Sequence, residues 1–354
     1  MKRFILQLVL LGWWSSGAVL AQESVAQQVT RLLGQMPAYN SNQRTQQVKR
    51  LVEMGQEGIV AIAARLETGD PTAAEYALSG LSYFVTQPGQ ESARKLTIAA
   101  YHEALRSAKS STAQTFLLYQ LQQVADPSGL AELSRYLGQE GLCGATARVM
   151  AQSSSTEAGR LLYDGLSNTA GGTCERALIQ ALGALGYAPA ASALEKRFVN
   201  APTEVDRRII GQAMAGLGAP SSRALLAQAP QQARYAHENS HATDTYLRYL
   251  KKLHAQPSQR ATARQAIQAL WRTSKETAPE ATRVAVLGLL VEAEKATATS
   301  LLLTEMEHPK ASYRAAVARL ATPLIQSSTL PRWRQRLPRM APDVQADVLR
   351  MLSH

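Results

Sequence analysis

Apolar positions along the chain recur at the spacing of helices packed on one side. In ATRVAVLGLLVEAE, which begins at Ala281, the residues Val284, Leu287, Leu290 and Val291 share one helical face. No stretch alternates apolar and polar residues for long enough to predict a strand. The helical pattern restarts after short turns rich in Gly, Pro, Ser and Thr. Read from those turns, the first helix of each pair opens near residues 43, 71, 110, 140, 172, 202, 243, 278, 309 and 341. LGALGYAPAASALEKRF (182–198) and MAGLGAPSSRALLAQ (214–228) show the unit most clearly: a helix ends in Leu-Gly, a Pro-containing turn follows, and an Ala/Leu-rich helix begins. A Gly just past the last helical residue supplies a left-handed cap, and Pro beyond it cannot continue the helix. In VADPSGLAELSRYLG (124–138), Asp126-Pro127 takes the same role. A fixed period of about 30 to 35 residues marks an array in which each helix pair has an apolar face that only its neighbours can cover.

ALGALGYAPAASALEK resembles the bacterial HEAT repeats also called PBS-lyase HEAT-like repeats. The resemblance extends over most of residues 43–353 and is sharpest between about 120 and 230. It implies an all-α fold, a right-handed α-solenoid (α-α superhelix) of about nine HEAT-like helix pairs. Such motifs specify fold far better than function. The chain is also similar to the HEAT regions of exported Bacteroidetes-type proteins, some of which continue into a jelly-roll domain related to 3-keto-disaccharide hydrolases. No such β domain is read in these 354 residues, so its activity is not carried over.

The N-terminus changes the picture of compartment. MKRFILQLVLLGWWSSGAVLA has two basic residues, an apolar run and small residues before Ala21, which predicts a signal peptide over residues 1–21. No later stretch approaches the roughly 20 apolar residues of a membrane helix. The expected organisation is therefore a leader, an N-terminal capping helix and linker over 22–42, and a repeat array over 43–354. APDVQADVLRMLSH reads as the first helix of a further repeat, so the array is expected to be incomplete at its C-terminal end. The formal charge is +11, which loss of Lys2 and Arg3 with the leader lowers to +9. A basic exported chain can meet an acidic glycan or another polyanion, while export argues against a genomic nucleic acid.

Residues 237–241, HENSH, match the H-E-x-x-H pattern of helical zinc proteases, in which two His one turn apart hold the metal and the Glu serves as base. That chemistry needs a continuous helix and a third ligand. Asn239 and Ser240 break helices, so the helix is expected to start near Ala242 to Asp244 and leave His237 and Glu238 in a loop. Asp244 and Leu247 occupy the places where a Gly-x-x-His extension would stand, and His254 lies about 20 Å along a helix from His241. The motif is accordingly read as a repeat junction. No metal, cofactor or catalytic set is expected.

Cys143 and Cys174, one repeat apart near the starts of adjacent first helices, form a disulfide candidate in an exported chain, with two buried thiols as the alternative. Trp271, Arg272 and Lys275 in WRTSK, with Arg332, Trp333, Arg334, Arg336 and Arg339 in LPRWRQRLPRM, form a candidate surface for an acidic ligand. On second helices of their pairs these residues would line a concave face; the competing reading is a solvated charged face with Trp333 in the core. TAGGTC (169–174) is Gly-rich before a helix but lacks the Lys-Ser/Thr of a phosphate loop. The expected function is a non-enzymatic exported scaffold, periplasmic or secreted, that binds a protein partner through its concave surface. The alternatives are the scaffold region of a larger secreted carbohydrate-active enzyme and, behind it, a zinc metallohydrolase centred on HENSH.

Overall fold

The computed structural model describes residues 23–124, 128–295 and 297–353; the leader and the Asp126-Pro127 turn lie outside these residues. The described residues are helical with turns between, and no strand occurs among them. They divide into two compact units at Ala113/Gln114.

The first unit contains α1 (Val25–Leu33), α2 (Ser41–Glu53), α3 (Gly55–Ala63), α4 (Thr72–Val85) and α5 (Glu91–Ser107). Ser24 and Gln27 form a reciprocal capping box that starts α1, and Asn40 caps α2 through its side chain. Helices α1, α3 and α5 pack in order as one row and α2 with α4 as another. Leu51, Ile59, Ile62, Leu78, Leu81 and Leu105 fill the space between the rows. α6 (Ser111–Val124) carries the boundary between the units.

The second unit continues with α7 (Leu130–Leu133), α8 (Glu140–Gln152), α9 (Thr156–Ser167), α10 (Gly172–Leu185), α11 (Ala191–Val199), α12 (Glu204–Leu217) and α13 (Arg223–Gln232). It ends with α14 (Ala242–Ala255), α15 (Arg260–Thr277), α16 (Glu280–Ala293), α17 (Ala298–Glu305), α18 (Ala311–Ala321), α19 (Leu330–Arg336) and α20 (Pro342–Leu352). Every expected opening of a first helix meets an even-numbered helix, from α2 to α20, within two residues. Gly186 and Gly218 end α10 and α12 at φ 66° and 62°, the left-handed caps that the Leu-Gly pairs predict. In α16 the buried face carries Val286, Leu287, Leu290 and Val291; Val284 is only half-buried, so the face is rotated from the predicted one.

From α8 to α20 the even-numbered helices pack directly on one another in chain order. The odd-numbered helices touch chiefly the even helices beside them. The even row is closest between α10 and α12, where a Cβ on Gly183 would lie 2.5 Å from the Cα of Ala213. One on Gly216 would run into the Gly183 carbonyl. The lack of a side chain on Gly183 and Gly216 lets the two backbones approach so closely. No described helix is long and apolar enough to cross a membrane.

Candidate functional site

The HENSH junction folds around its glutamate. α14 begins at Ala242, so no helix runs through the motif and His237 lies in the preceding loop. Glu238 Oε2 accepts the Ser240 N–H at 2.9 Å and Oε1 accepts the Ala242 N–H at 2.8 Å. Partial burial pulls this carboxyl upward, but the Ser240 hydroxyl and the backbone N–H groups of Ala242, Ser240 and Thr243 outweigh it and hold the group below the usual glutamate range. Both oxygens thus neutralise the start of α14, a geometry unlike that of a protease base on a helix between two ligands.

His241 has φ 57°, in the left-handed region, and its N–H donates to the Glu238 carbonyl at 2.9 Å. This tight turn folds the loop back so that His237 and His241 meet edge to face, ring centroids 5.5 Å apart. Asp244 sits one helical turn after His241. Its Oδ2 lies 3.5 Å from His241 Nδ1 and 3.7 Å from His237 Nδ1. Two residues tie the loop down from behind: Thr243 donates to the Ala236 carbonyl at 3.0 Å, and Thr282 of α16 donates to the Tyr235 carbonyl at 2.8 Å. Asp244 stands where the Gly of a Gly-x-x-His extension was sought, and so it was not counted as a ligand.

The arginine and tryptophan candidates lie on the odd row: Trp271, Arg272 and Lys275 on α15, Arg332, Trp333, Arg334 and Arg336 on α19, and Arg339 in the 3-10 turn after it. Trp333 is 1 % exposed and Trp271 8 %, so neither ring offers a face to a ligand. Each indole fills apolar space beneath its helix while the arginines beside it remain in water; this matches the competing reading of a solvated charged face with Trp333 in the core, and it takes both rings out of the candidate acidic-ligand surface. Lys275 reaches a buried carboxylate, Glu305 Oε1, at 3.5 Å, and Arg336 pairs with Glu307 at 2.8 Å. Arg272, Arg332, Arg334 and Arg339 are exposed.

Glu305, 4 % exposed at the end of α17, is the centre of a buried polar network that the sequence reading missed. Its Oε2 accepts the Tyr313 hydroxyl at 2.8 Å and lies 3.9 Å from the Arg283 guanidinium, which stands 5.0 Å over the Tyr313 ring. The His308 ring packs 4.2 Å from that ring, and burial first, then the Arg283 charge, lowers the imidazole below the ordinary histidine range. The signal was available: Glu305 stands three residues after buried Leu302 on one helical face. The network ties α15, α16, α17 and α18 together.

Cys143 and Cys174, in the first turns of α8 and α10, are joined as a disulfide with Cα atoms 5.5 Å apart. The bond clips two neighbours of the even row and leaves no free thiol among the described residues. In the Gly-rich loop before α10, the Gly171 N–H already donates to Glu175 Oε2 at 2.9 Å, so that donor is satisfied within the chain. Searched against protein-family models and against curated proteins, the chain matches none.

Proposed function

We propose that this chain is an exported scaffold of HEAT-like helix pairs, wound as a right-handed superhelix, which holds a protein partner without acting on it. The supporting observation is the unequal packing of the two rows in the second unit. When helix pairs stack, the row with the closer axes lies on the inside of the bend. The close approach at Gly183, Ala213 and Gly216 favours the even row for that position. The partner face is then the solvent side of the even helices from α8 to α20, not the arginines of α15 and α19. A curved rigid row presents many side chains without ordering cost on binding, so variation between repeats sets partner choice. Exposed Arg148, Arg248 and Arg319 lie on that row and suit an acidic partner surface.

Charge reversal tests the assignment. The triple substitution Arg148→Glu, Arg248→Glu, Arg319→Glu is expected to abolish capture of the partner in a pull-down from the exported fraction. Arg272→Glu, Arg332→Glu, Arg334→Glu on the odd row is expected to leave it intact. The reverse pattern would move the partner face to the odd row, and capture unchanged by either set would refute both.

A further inference from the structure

We infer that His237, His241 and Asp244 form a zinc-class metal site, a property separate from partner binding by the helical row. The candidate donor atoms all lie within 4.8 Å of one another. Two edges of this set, 3.5 and 3.7 Å from the imidazole nitrogens to Asp244 Oδ2, approach the spacing of tetrahedral donors, about 3.4 Å for bonds of about 2.0 to 2.1 Å. The third edge, between the two imidazoles, is no longer than 4.8 Å, and rotation of the two exposed histidine side chains would bring it to the same spacing. Two imidazoles and one carboxylate suit zinc and its late transition-metal neighbours, and suit neither calcium nor magnesium, which take oxygen ligands.

Three features of the junction favour such a site over a chance surface cluster. The ligand loop is held from behind by the Thr243 and Thr282 hydroxyls, so His237 arrives on an anchored backbone. His241 reaches its place through a left-handed residue, a conformation that an L side chain adopts at a cost. The positive end of α14, which would repel a cation, is already offset by the Glu238 carboxylate on the Ser240 and Ala242 N–H groups, leaving Asp244 for the metal. All three ligands are partly or fully open to solvent, so the fourth tetrahedral position faces water. With Glu238 occupied, the site holds metal without the base that a protease would need.

The test uses the untagged full chain, stripped with chelator and titrated with Zn²⁺ by calorimetry. The expected result is one ion per chain, with affinity weakened about tenfold or more in His237→Ala, His241→Ala and Asp244→Asn. His308→Ala, which alters a histidine elsewhere in the fold, is expected to bind as the parent does. Asp244→Asn keeps size and shape, so its loss of binding with an unchanged melting curve separates ligand loss from misfolding. Co²⁺ in place of zinc is expected to give the intense visible bands of tetrahedral coordination, absent in the three variants. No stoichiometric zinc in the parent, or equal binding in parent and variants, would overturn the inference.

Discussion

Around Gly183 and Gly216 the backbones of α10 and α12 meet directly, with the Arg176–Asp206 pair only at the solvent edge of that junction, whereas between α18 and α20 the helices are joined through a buried arginine. At Gly183 the neighbour is the Ala213 backbone itself. Further along the same row, Arg314 is 4 % exposed and donates to Asp347 at 2.7 Å, to Asp343 at 2.9 Å and to the carbonyls of His308 and Pro309 at 3.0 Å. Repeats therefore do not share one adhesive. A junction of small residues sets spacing, and so curvature, with little room for change. A junction of paired charges holds helices at greater separation but fails if one partner is lost. The Cys143–Cys174 bond reinforces the junction next to the close one.

The difference can be broken most severely at Gly183. Gly183→Leu would drive a side chain into backbone that cannot move aside, and is expected to cost about 3 kcal/mol or more in denaturant unfolding. Gly144→Ala is its control, because a Cβ there meets only ordinary contacts at 3.7 and 3.8 Å, and a similar loss at both positions would refute the spacing argument. Next in size is Arg314→Ala, which leaves two carbonyls without this donor and Asp347 with only the exposed Arg350 as partner. The expected loss is about 3 kcal/mol, less than for a fully buried pair because Asp343 is mostly exposed. Hydrogen exchange should then rise in α18 and α20 and stay unchanged in α10 and α12.

The smallest effect is a dependence on pH. His308 is held below its ordinary value of 6.5, so the folded chain resists a proton that the unfolded chain accepts. Its contribution is complete above 6.5 and is lost as pH falls from there through the lower folded value. His308→Gln should flatten that part of the acid stability curve, and an unchanged slope would show that the imidazole titrates freely.

Much of the scaffold could be read in the chain. Leu-Gly pairs gave away Gly186 and Gly218 because left-handed caps are chemically demanding and local. Helix openings followed for the same reason. The tryptophans left two readings open, since flanking arginines say that a helix face is wet but not whether the indole turns inward; Trp333 and Trp271 both turn inward. The His237, His241 and Asp244 cluster was only half legible. His241 and Asp244 stand one turn apart, but His237 joins them through the left-handed turn at His241, and no helical spacing predicts that. Close approach at Gly183 was hidden too, because it depends on what another repeat places opposite.

The central claim, that the closely packed even row faces the partner, is tested most directly by site-specific photo-crosslinking in the exported fraction. Photoreactive residues would replace Arg148, Arg248 and Arg319 on the even row and Arg272, Arg332 and Arg334 on the odd row. The account predicts one crosslinked partner from the even positions and none from the odd. Crosslinks confined to α15 and α19 would contradict it.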